Sequence, residues 1–207
     1  MMAAAVASFF ILTWLFSTPT MVDLKWRIPR KTAFMEKNGG KVQQEIVPLS
    51  KISPFLRRAV IVSEDGIFRE HRGIDWDAMK QAMEINWERK RFSHGGSTIT
   101  MQLARNLYLT PDKSIFRKLK EILIALKLER TLKKDRILEI YLNVAQFGCN
   151  IYGAEAASQH YFGKGAYALN ATEASFLAAL LPKPCFYDKH RMSDHLHTRA
   201  LVIENRM

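Results

Sequence analysis

Glu64 and Glu121 are the acids whose neighbours equip them for chemistry. The first sits in Glu64-Asp65-Gly66-Ile67-Phe68-Arg69-Glu70-His71-Arg72-Gly73. On a helix, Glu64, Phe68 and His71 fall at i, i+4 and i+7 and share a face. A carboxylate beside an aromatic ring there would keep its proton to higher pH than usual, as a general acid or base requires. The same stretch also fits a helix end carrying two solvated acids. In Gly95-Gly96-Ser97-Thr98-Ile99-Thr100-Met101-Gln102-Leu103-Ala104-Arg105-Asn106, two glycines let the backbone approach a ligand, and a helix N-terminus follows that suits an anion. Thr98, Gln102 and Arg105 then align on a polar face, and Ile99, Leu103 and Leu107 on a core face. Arg117 and Lys118 stand beside Glu121. That grouping fits a surface ion pair and equally a diphosphate site.

The elements that must position these residues read as mainly helical. Ile61 to Arg69 opens the body. Trp76 to Arg89 follows as an amphipathic stretch (Trp76, Met79, Met83, Trp87), either a core-facing helix or a lobe dipping into a lipid interface. Further helices are expected at Thr98–Tyr108, Ser114–Thr131, Lys134–Phe147, Tyr152–Phe162, Thr172–Leu181 and Arg199–Met207. Ser114 is set as an N-cap, and Asn170 with Glu173 has capping-box spacing. In the helix after Ser114, the pattern Ile115, Leu119, Ile122 and Leu126 predicts the buried stripe. Ile137-Leu138-Glu139-Ile140-Tyr141-Leu142-Asn143 reads as scaffold. Residues 23–44 read as a juxtamembrane linker with strand-like pieces and a turn at Asn38-Gly39-Gly40.

The chain has 207 residues, 48% of them apolar, enough for one substantial core. Its 31 Lys plus Arg against 20 Asp plus Glu give a net charge of +11, which suits an anionic partner. No zinc-finger spacing, RNP-like motif or compact basic run accompanies the charge, so nucleic acid is set aside. Cys149 and Cys185 are too few for a disulfide scaffold and read as buried free thiols rather than a bonded pair.

Met1 to Val22 carries no charged side chain, and Val6 to Phe16 is strongly apolar. It is read as a transmembrane anchor over residues 1–22, not a cleaved signal, because a basic n-region and a small-x-small site are missing. Lys25, Arg27, Arg30 and Lys31 follow this segment and no basic residue precedes it. The positive-inside rule therefore points the body to the cytoplasm.

Taken together, these segments resemble the peptidoglycan glycosyltransferase family, which includes monofunctional transglycosylases and the first domain of class A penicillin-binding proteins. The motifs occur in order: Glu64-Asp65-x-x-Phe68-x-x-His71-x-Gly73, Gly95-Gly96-Ser97-Thr98-Ile99-Thr100-x-Gln102, Arg117-Lys118-x-x-Glu121, and Ile137-Leu138-Glu139-x-Tyr141-Leu142-Asn143. Glu173-Ala174 through Leu181-Pro182-Lys183 closes the series. The resemblance covers residues 45–207.

It implies a lysozyme-like helical lobe with a smaller membrane-associated lobe, following one N-terminal transmembrane helix. It implies condensation of lipid II with a growing lipid-linked glycan chain, giving a β-1,4 link with inversion and release of polyprenyl diphosphate. Glu64 matches the catalytic base and Glu121 the second essential glutamate, organising cations or a divalent metal (Mg or Mn), with no cofactor required. Asp65, Phe68, His71, Ser97, Thr98, Gln102, Arg105, Asn106, Arg117 and Lys118 match substrate-side positions. The catalytic domain would lie on the periplasmic side of the inner membrane, with cell-wall synthesis or division proteins as open partners. Met101 stands where many members have a second Gln, and Arg105 where many have Lys. No Ser-x-x-Lys or Lys-Thr-Gly occurs, so the monofunctional branch is expected. A lytic transglycosylase or lysozyme-type hydrolase, and a non-catalytic wall-binding protein, are the rival readings.

Overall fold

The computed structural model describes Thr13 and residues 19–89, 95–110 and 114–207. The expected anchor therefore lies largely outside the described residues, as do Lys90, Arg91 and His94. Among the described residues no helix is long and apolar enough to cross a membrane.

Thr32 caps a short helix, α1 (Ala33–Asn38), its hydroxyl accepting the Met35 N–H. Gly39, at φ 64°, ends it. The stretch expected to be strand-like thus carries a helix, and it packs on the body, with Met21, Leu24 and Met35 in the core. Strand β1 (Gln43–Gln44) follows. Helix α2 (Pro54–Glu64) begins with proline in its first turn, where the missing N–H is tolerated, and Ser53 caps it by accepting the Phe55 N–H.

α2 stops at Glu64, which corrects the helix expected over Ile61–Arg69. Asp65 leaves the helical path because its carboxylate accepts the distant Ile99 N–H. Glu64, Phe68 and His71 therefore do not share a helical face. Asp75 caps α3 (Trp76–Glu88) by accepting the Ala78 N–H. Met79 packs against the core and Ala82 is buried, whereas Trp76 (60% exposed), Met83 (67%) and Trp87 (86%) face outward.

Helix α4 (Ile99–Tyr108) buries Ile99, Leu103 and Leu107 as expected. Ser114 accepts the Arg117 N–H at the start of α5 (Ile115–Thr131). The buried stripe of α5 is Glu121, Ile124, Ala125 and Leu128, whereas Ile115 and Leu119 are exposed. The expected stripe is thus rotated toward the acid. Helix α6 (Lys134–Val144) ends earlier than expected, because Gln146–Gly148 forms strand β2 and pairs antiparallel with β3 (Ile151–Tyr152). β1 pairs parallel with β3 on its other side, in the order β1-β3-β2. Buried Asn143 ties α6 to the segment after β1, accepting the Val47 N–H and donating to the Val47 carbonyl.

After α7 (Ala154–Phe162), the expected capping box between Asn170 and Glu173 opens α8 (Ala171–Leu180). α8 is apolar and small on nearly every side (Ala174, Leu177, Ala178, Ala179, Leu180 buried), as a central helix must be. It packs between α2 and α10 (Asp194–Arg206), with the short α9 (Pro184–Lys189) between α8 and α10 in the chain. α10 begins five residues before the helix expected at Arg199. Cys149, after β2, is bonded to Cys185 in α9, with Cα atoms 4.4 Å apart. This corrects the reading of two free thiols: α9 packs on β2 and brings the pair together.

Candidate active site

Glu64 is the last residue of α2 and is 12% exposed. Gln102 Nε2 donates to its Oε2 (2.9 Å), and Arg199 Nη2 and Ser63 Oγ donate to its Oε1 (3.3 and 3.1 Å). Burial pushes its pKa above the ordinary carboxylate value. Gln102, Arg199, Ser63 and the field of Arg105 pull the other way without cancelling the loss of water. A carboxylate raised in this way is a stronger base than one in water.

The segment after Glu64 is bracketed to the start of α4. Asp65 Oδ2 accepts the Ile99 N–H (3.0 Å), and His71 Nε2 lies 2.8 Å from Asp65 Oδ1. The Gly73 N–H donates to His71 Nδ1, which assigns the ring proton to Nε2 and makes it the donor to Asp65. Burial raises the Asp65 pKa, with His71 and the Ile99 N–H opposing it. Thr98 caps α4, accepting the Met101 N–H and donating to the Gly73 carbonyl (2.6 Å). Phe68 is fully buried with Lys134 Nζ 4.5 Å above its ring. Asp65, Phe68, His71 and Thr98 thus hold the backbone around Glu64 and present little surface to a substrate.

Gly96 is where this loop meets α3. A Cβ there would lie 2.6 Å from Met79 Cα and 2.9 Å from the Ala78 carbonyl oxygen, so no side chain fits.

Glu121, 1% exposed, accepts from Arg117 Nη1 (2.6 Å) and from Lys118 Nζ (2.7 Å). Lys118 Nζ also donates to Ser97 Oγ (2.5 Å). The buried acid therefore fixes two cations, and the lysine reaches the loop that starts α4. Both Glu121 oxygens being engaged, its surroundings do not fit a divalent cation, and no group of three His, Cys, Asp or Glu among the described residues offers a metal site.

On α4, Arg105 follows Gln102 by three residues and shares its face. Its Nε is buried without a hydrogen-bond partner among the described residues, leaving a cationic donor in need of an acceptor. Gln102, Arg105, Asn106, Tyr141, Gln146 and Pro182 line a cavity of about 140 Å³. A second cavity of about 280 Å³ is lined by Ser63, Thr198, Arg199 and Arg206, among others. Glu64 thus takes one partner from the first lining and two from the second.

A family model described as Transglycosylase matches residues 31–207. The chain belongs to the transglycosylase family. It is 42% identical over 219 residues to the biosynthetic peptidoglycan transglycosylase of Janthinobacterium sp. (strain Marseille), covering 95% of both chains. It is 42% identical over 213 residues to the protein of the same description from Chromobacterium violaceum, covering 99% of this chain and 93% of the other. The corresponding protein of Alcanivorax borkumensis is 46% identical over 189 residues, covering 90% of this chain and 77% of that one.

In this transglycosylase, Met101 is fully buried, so its departure from the commoner Gln falls in the core. Arg199 and Tyr141 belong to the site although the sequence reading named neither as a site residue. Arg199 arrives from the last helix, and no spacing rule links it to Glu64. Tyr141 lay within a motif read as scaffold, and its hydroxyl donates to Gln102 Oε1 (3.0 Å).

Proposed function

We propose that Glu64 is the general base of a peptidoglycan glycosyltransferase that polymerises lipid II into β-1,4-linked glycan strands. Glu64 takes the proton from the acceptor sugar's 4-hydroxyl. The freed oxygen attacks the anomeric carbon of the growing chain with inversion, and the bond to the polyprenyl diphosphate breaks. Charge then develops on the departing diphosphate, where Arg105, Arg117 and Lys118 meet it. Glu121 holds the last two in place and takes no proton in this scheme.

The observation that carries this reading lies on one helix. α4 hydrogen-bonds the base through Gln102 and, three residues on, carries Arg105, a second lining residue of the same cavity whose buried Nε has no hydrogen-bond partner among the described residues. A glycan-cleaving enzyme needs the acid but has no anionic leaving group for such a cation. Glu64 also draws its hydrogen-bond partners from the linings of two cavities, which suits a reaction that joins two sugars.

We place the anchor before residue 19, since Met21 and Leu24 are buried in the core, and the catalytic domain, to which the packed segment before residue 45 belongs, on the periplasmic side. The Cys149–Cys185 bond supports that side against the basic flank of the anchor, since such bonds persist in oxidising compartments. The exposed Trp76, Met83 and Trp87 suit an interface with lipid.

The test is incubation of the purified protein with lipid II in detergent. Polymer is expected, and Glu64→Gln should lower its formation by about 10²- to 10⁴-fold while lipid II still binds. Cleavage of finished glycan without synthesis would overturn the reading in favour of a hydrolase.

A further inference from the structure

The fourth motif contributes more than scaffold. Tyr141 on α6 is almost wholly buried, and its hydroxyl donates to Gln102 Oε1 at 3.0 Å; Gln102 Nε2 in turn donates to Glu64 Oε2 at 2.9 Å. A carboxamide has one accepting end and one donating end, whereas an ionised carboxylate can only accept. Turned over, Gln102 would set its oxygen against the carboxylate, an arrangement satisfied only when Glu64 carries a proton. Among the described residues Tyr141 is the one hydrogen-bond donor to Gln102 Oε1, so it satisfies the amide oxygen when the N–H faces the base and favours that orientation. We propose that Tyr141 is a positioning residue for Glu64, acting through Gln102 to keep the amide's N–H on the carboxylate. This rests on the reading of Glu64 as the base.

The three groups form a run of donation from phenol to amide to carboxylate, in which each bond strengthens the next. The other groups facing Glu64 are Arg199 from α10, Arg105 from α4 and Ser63 from its own helix, with Asp65 next in sequence. None of them orients the amide. The proximity of Glu64 in turn helps push the Tyr141 pKa well above that of a free phenol, after burial itself. The hydroxyl therefore stays protonated and able to donate throughout the working range.

The decisive measurement is the titration of the Glu64 carboxyl by carbon-13 NMR in the wild type, Tyr141→Phe and Gln102→Leu. Loss of the phenol should make Glu64 harder to ionise, moving its midpoint upward, and Gln102→Leu should move it at least as far. Polymerisation by Tyr141→Phe should fall about tenfold on the acidic limb and recover to within about twofold at alkaline pH, as loss of one hydrogen bond to this network predicts. The loss should appear in kcat rather than KM. In the Gln102→Leu background, Tyr141→Phe should change nothing further. A Glu64 midpoint unchanged in Gln102→Leu, or in a cooperatively melting Tyr141→Phe, overturns the proposal, as does a loss of activity equal at every pH. The titration needs no turnover, so it stands apart from the base reading. A Glu64→Gln protein that polymerises normally defeats that reading alone.

Discussion

Arg199 Nη2 lies 3.3 Å from Glu64 Oε1, so the last helix supplies a cation to the end of α2 from 135 residues away. Removing it takes away a charge that holds the Glu64 pKa down against burial. Arg199→Ala should therefore shift the acidic limb of the rate profile upward. The pair is partly exposed to water, so the loss at slightly acidic pH should be about two- to fivefold, with Arg199→Lys retaining most of the activity. A pH–rate profile identical to wild type would remove Arg199 from the site.

Glu64 should also burden the fold it serves. Its folded-state pKa lies above the ordinary value of 4.5, so the native state holds this proton longer than the unfolded chain does. The corresponding stability is fully present below pH 4.5 and lost as pH rises through the folded-state value. Glu64→Gln should accordingly melt a few degrees above wild type at neutral pH, the gap closing in acid. Melting curves at several pH values check this, and a gap that widens in acid would contradict it.

Breaking the Cys149–Cys185 bond should cost about 3–4 kcal/mol by the chain-entropy account for a closed loop of this size. The bond joins the end of β2 to α9, and Gln146 and Pro184 from these elements border the Arg105 cavity. Reductant, or Cys149→Ser, should thus lower both the melting temperature and polymerisation. Equal melting temperatures with and without reductant would show that the bond contributes nothing.

Trp76, Met83 and Trp87 should carry membrane contact independent of the anchor. A protein lacking residues 1–18 is the right probe, because deletion through residue 24 would take Met21 and Leu24 out of the core. It should bind anionic vesicles, helped by the net charge of +11. Replacing Met83 by Ser and both tryptophans by Ala should weaken that binding at least about tenfold. Failure of the truncated protein to bind at all would leave the membrane work to the anchor.

Local signals were legible in the sequence and distant ones were not. The caps at Ser114 and at Asn170 with Glu173 involve bonds across three residues, and they appear as read. The stripe of α5 differs from the apolar pattern because a charged residue, Glu121, belongs to its buried face. Arg117 and Lys118, four and three residues earlier, fold back on Glu121 and allow it to face inward. α2 ends at Glu64 because Asp65 answers an amide 34 residues on. The motifs named the residues of the site, but their division into those that line the cavity and those that brace Glu64 depends on which helices meet. Patterning along one helix carries no record of that. The same holds for the cysteine pair, whose partners meet only after α9 packs on β2.

Gly96 leaves no slack between α3 and the loop leading into α4. Where two backbones touch this closely, neither shifts without the other. Beyond that joint, the Ile99 N–H grips Asp65, the neighbour of Glu64. Gly96 is thus the point at which a displacement of α3 would be felt by the loop that holds the neighbour of Glu64.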